Sequence, residues 1–164
     1  MAVVRLIALA ALVGCNASEA GPSRLTPPAG WTALPDLAAA ARDAAKQANI
    51  AVDDVEAYGE AARGCYAAWL GVRGGAGAPA ALADSLIASL SPDVPGLTLS
   101  NVVKPAANIE PGVLSLAFTR PPYRGRVRAT IAKTGTMGVV ACFWNLREPI
   151  ACEAACTALI GSLK

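Results

Sequence analysis

The spacing of apolar residues changes along the chain, and each change predicts an element. Leu6 to Val13 is an unbroken apolar run, and Cys15 to Gly30 has turn-forming residues but no apolar period. Pro35 and Asp36 then head an alanine-rich stretch of helix formers with a stop near Asn49, which predicts a helix from Asp36 to Ala48. Between Ala51 and Gly75 a helical face (Val55, Tyr58, Ala62, Cys65, Tyr66, Trp69) competes with Gly59, Gly64 and Gly71, each costing about 1 kcal/mol inside a helix. An internal likeness decides for strands: GCYAAWL and, later, VACFWNL each precede a linker and a helix ending LIASL or LIGSL. Pro79 opens the first of those helices, striped by Leu82, Leu86, Ile87 and Leu90, and SPDVPG stops it.

From Leu97 onward the period is two. LTLSNVV, VLSLAFT, YRGRVRATIAK and MGVVACFWN are strand candidates separated by turn residues, with a tight turn at Thr134, Gly135 and Thr136. Leu114, Leu116 and Phe118 alternate with Val113, Ser115 and Ala117, the pattern of a strand with one packed face. A last helix follows Pro149, with Cys152, Cys156, Leu159 and Leu163 on one side. The order predicts an α+β fold: an antiparallel sheet, helices mainly on one face, a C-terminal helix and disulfide staples. It is similar to the element order of the PsbP and Mog1 class of folds, although no motif of theirs is present and nothing is carried over.

The first fifteen residues carry a separate message. Arg5 and the amino terminus precede the apolar run, which falls well short of the ~20 residues that span a bilayer. It ends in Leu12, Val13, Gly14 and Cys15, which resembles the lipobox of bacterial lipoproteins. The resemblance implies cleavage before Cys15 by signal peptidase II, acylation of that cysteine, and anchoring of the chain to a lipid bilayer. Two or three acyl chains at ~0.8 kcal/mol per buried methylene hold a protein on a membrane. Asn16, where inner-membrane lipoproteins of enteric-type bacteria carry aspartate, favours the outer membrane over the inner. The expected organisation is a signal peptide over 1–14, a tether over 15–30, and one domain over 31–164.

Cleavage removes Arg5 and no acid, leaving 13 basic and 12 acidic residues, a balance that offers nothing to nucleic acid. The chain has no histidine, so Ser-His-Asp and Cys-His nucleophiles, an imidazole base, and His-bearing zinc or copper sites are excluded. With Cys15 taken by lipid, Cys65, Cys142, Cys152 and Cys156 remain, an even number that predicts two disulfides in an oxidising compartment. Cys152 with Cys156 is disfavoured, because helical i,i+4 Cβ atoms stand ~5 to 6 Å apart. Measured along strand and helix from the Asn145–Pro149 connection, Cys142 comes level with Cys156, leaving Cys65 to Cys152. The competing reading takes Cys142, Cys152 and Cys156 as a thiol redox or soft-metal module. It resembles the C-x-x-x-C spacing of envelope copper-delivery proteins, which add a histidine that this chain lacks.

Arg124, Arg126 and Arg128 share one strand face and form either a binding surface for phosphate headgroups, lipopolysaccharide or an acidic partner, or simply the wet side of a sheet. GGAGAPA, Gly74 to Ala80, formally contains G-x-G-x-x-A, but lacks the βαβ context of a dinucleotide loop and reads as a flexible linker. Asp53 and Asp54 are adjacent and expected on opposite faces of a strand; Glu148 and Glu153 suit the start of the last helix. No carboxylate pair can be placed at the separation a glycan hydrolase needs. The sequence therefore predicts a non-catalytic envelope lipoprotein, without cofactor or metal, that binds an envelope protein or component.

Overall fold

The computed structural model describes residues 24–47, 49–90, 95–107, 109–147 and 149–162. The elements are β1 (Thr32–Ala33), α1 (Pro35–Gln47), β2 (Ala51–Glu60), β3 (Cys65–Arg73), α2 (Pro79–Leu90), β4 (Thr98–Val103), β5 (Gly112–Arg120), β6 (Tyr123–Ile131), β7 (Thr136–Asn145) and α3 (Pro149–Ser162). The strands form one seven-stranded sheet in the order β1-β2-β3-β7-β6-β5-β4, antiparallel throughout. Residues 1–23, which hold the expected signal peptide and Cys15, lie outside the described residues, as do Ala48, Glu148 and Leu163.

Alternation gives the sheet two buried faces. On one, Val55, Ala57, Ala68, Leu70, Leu114, Leu116, Phe118, Val127, Ala129, Ile131, Val139, Ala141 and Phe143 meet α1 and α2. Alanines 41, 44 and 45 bring α1 down onto the sheet with Leu37, and Ala83 does the same for α2. On the other face α3 lays Cys152, Cys156 and Leu159 over Cys65, Ala67, Val140, Cys142 and Trp144. Two of the three helices thus share a face, and the C-terminal one covers the reverse.

Leu25 is 2% exposed and clusters with Trp31 on the α3 side, while the Arg24 amide donates to Glu56 Oε1 at 2.7 Å. Leu25, within the stretch expected as a tether, thus packs on the domain, because it gains more from burial than a linker residue would from solvation. The β6–β7 turn is built as expected around Gly135, whose φ of 86° few residues other than glycine adopt. The Gly135 amide bonds Ala132 O and the Ala132 amide bonds Thr136 O, both at 2.9 Å.

Candidate functional site: an apolar cleft between two helices

α1 lies over β2, and α2 lies over β5 and β6. At about 4.8 Å per strand, those positions are roughly 17 Å apart, whereas packed helices approach to about 8–10 Å. The sheet is too wide for the helices to close over it. The gap leaves β3 and β7 partly uncovered and forms a cleft of about 480 Å³.

Its floor is two rungs of the β3–β7 ladder: Leu70 opposite Val139, then Val72 opposite Met137. Ala45 and Ile50 form one wall, Leu82 and Leu86 the other. Polar lining groups are few: Asn49, Arg73 and the Gly74–Gly75 backbone stand near the end of the last rung, and Ser85 on the α2 wall. The rim is fixed locally. Asn49, at φ 55°, takes the left-handed position of a Schellman cap, with its amide on Lys46 O at 3.0 Å and the Ile50 amide on Ala45 O at 2.9 Å. That cap turns Ile50 back into the cleft.

The glycine-rich linker is not free. The Gly74 amide bonds Gly135 O and the Gly77 amide bonds Lys133 O, both at 2.9 Å, so Gly74, Gly75 and Ala76 become a fixed end wall. A side chain at Gly135 would collide with the Gly74 and Gly75 carbonyls, which is why the turn and the linker seat so closely. The sequence marked Leu82 and Leu86 only as a helix stripe and Gly74–Ala76 only as linker, because the gap follows from strand order and not from any local motif.

The predicted site residues lie elsewhere. Cys65 pairs with Cys152 and Cys142 with Cys156, with Cα atoms 5.4 and 5.6 Å apart, tying α3 to β3 and β7. Among the described residues no three His, Cys, Asp or Glu side chains gather as a metal site. The arginine stripe runs beside α3 and is largely engaged by it. Arg124 covers the Trp144 ring at 5.8 Å, Arg126 pairs with Glu153 at 2.9 Å, and Arg128 Nη1 donates to Ile160 O at 3.5 Å near the end of the helix. Arg126 and Arg128 thus reach α3 while Arg124 stays exposed, on the face the sequence suggested was wet.

Asp53 and Asp54 are also corrected. A bulge between Val52 and Asp54 adds a residue to β2, so both carboxylates line the same groove on the α3 side, of about 670 Å³, with Trp69, Arg128 and Thr130. Asp53 is held by Arg73 and Asp54 by Arg24 at 3.9 Å. Neighbours on one strand, they do not face each other across a bond as a glycosidase pair does.

No family model, curated protein or solved structure matches this chain.

Proposed function

We propose that the chain is a membrane-anchored bacterial envelope lipoprotein whose non-catalytic domain binds an apolar envelope component in the cleft between α1 and α2. The cleft carries the binding part of this reading. It offers a concave, largely preformed apolar surface with a few polar groups, of the size small ligands occupy. The Leu12-Val13-Gly14-Cys15 box supports the anchor, with acylated Cys15 in the bilayer, the outer membrane favoured, and the domain in the oxidising space where its disulfides persist. The thiol redox or soft-metal reading loses support, since both disulfides take the sulfurs it needs.

Intact-mass analysis of the protein extracted from membranes tests the anchor. The expected spectrum is a chain starting at Cys15, heavier by a diacylglycerol or more, and lighter by two disulfides' hydrogens. A chain starting at Met1 without acyl mass would refute the anchor.

A further inference from the structure

The charges around the cleft are not evenly distributed. On α1, Leu37, Ala41, Ala44 and Ala45 define the buried side, and Ala45 is the one that also lines the cleft. At 100° per residue, Arg42 falls on the flank about 60° beyond Ala45 and Lys46 about 40° further toward the solvent side, whereas Asp36 and Asp43 fall on the opposite flank. On α2, Leu82, Ser85 and Leu86 line the cleft, while Asp84 lies on the far side and pairs with Lys104 at 2.6 Å. Both helices thus turn their acids away from the opening. Arg73, which lines the cleft, is already engaged by Asp53.

Polarity along the cleft is also graded. Leu70 and Val139 are buried at one end, while Arg73 and Thr136 close the ladder at the other. The helix axes stand roughly 17 Å apart and each helix is about 10–12 Å across, so the slot between them is about 5–7 Å wide, room for one acyl chain side by side and not for two.

Resting on the binding reading above, we infer that the ligand is a single-chain amphiphile with an anionic head, of the fatty-acid class. Its methylenes lie along Val72, Leu82 and Leu86, and its head lies at the α1 lip, where Arg42, with Lys46 beyond it, raises the local potential. Arg42 and Lys46 have no acid partner among the described residues, so the head gains an attraction that no carboxylate of the protein already satisfies.

The test uses the mature chain from residue 15 onward carrying Cys15→Ser, which lacks both the apolar leader and the acylation site, and displacement of a fluorescent fatty acid by hexadecanoate or by uncharged hexadecanol. The expected result is hexadecanoate binding about tenfold or more tighter than hexadecanol. The double variant Arg42→Glu, Lys46→Glu should erase that preference and leave hexadecanol binding unchanged. Ser85→Trp, at an exposed position on the cleft wall, should abolish binding of both with the thermal unfolding transition retained. Equal affinity for both probes, or a preference that survives charge reversal, overturns the anionic head while leaving the apolar cleft standing. Binding of neither probe by a folded protein, or undiminished binding by Ser85→Trp, overturns both.

Discussion

Single residues on the sheet show which contacts matter energetically. Trp69 lies flat across Gly138 of the next strand, and a Cβ at that position would collide with its six-membered ring. Gly138→Ala forces the indole off the sheet, and its expected cost is about 1–3 kcal/mol, the range of overpacking, read as a lowered urea midpoint. Arg126→Gln removes an ion pair whose side chains are 42% and 35% exposed. It should cost under about 1 kcal/mol, so the glycine outweighs the more conspicuous arginine. Tyr66 supplies a pH dependence. Burial, and then the neighbouring Tyr123, raise its pKa above 10.0. A pKa raised by folding means that the proton is held more tightly in the native state, so the stabilisation is complete below pH about 10 and disappears as pH rises through the folded value. Phenolate absorbance should show one tyrosine ionising later than the others, and stability should fall along with it. A Tyr66→Phe variant should lose that late step.

At the scale of elements, α3 depends on its cross-links. Its buried contacts on the sheet are few, namely Cys152, Cys156 and Leu159, and Ile150 is 85% exposed. The Cys65–Cys152 bridge spans 87 residues of sequence and Cys142–Cys156 spans 14. Loop-closure entropy assigns about 4.6 and about 3.0 kcal/mol to them. The paired variant Cys65→Ala, Cys152→Ala should therefore be the less stable of the two in urea; the reverse order would show that native-state terms dominate. Element reading succeeded where a period was clean. Leu114-Leu116-Phe118 gave β5 directly and YRGRVRATIAK gave β6, the Cys152, Cys156, Leu159 spacing gave α3, and distances counted from the Asn145–Pro149 connection gave the disulfide pairing. It failed at Asp53, where a bulge without glycine or proline leaves no trace in the pattern. Alternation put Arg124, Arg126 and Arg128 on one face, but no local signal said that α3 would lie beside them.

The whole molecule is a sheet wider than its two helices on one face can close, and the cleft is the consequence. It was illegible in the sequence because it depends on β3 pairing with β7, a contact between segments some seventy residues apart, which places Leu70 beside Val139. The Leu12-Val13-Gly14-Cys15 pattern and the missing histidine, by contrast, were legible at once, being local or compositional. The proposed reading joins them to the cleft as a tethered domain that holds a ligand without transforming it. The most direct test is a native mass spectrum of the protein released gently from its own membranes. The account predicts a chain beginning at Cys15 with covalent acyl mass, plus one non-covalent adduct of single-acyl size that is lost on denaturation and absent from Ser85→Trp. A folded chain that carries no such adduct, or one that Ser85→Trp carries equally, would contradict it.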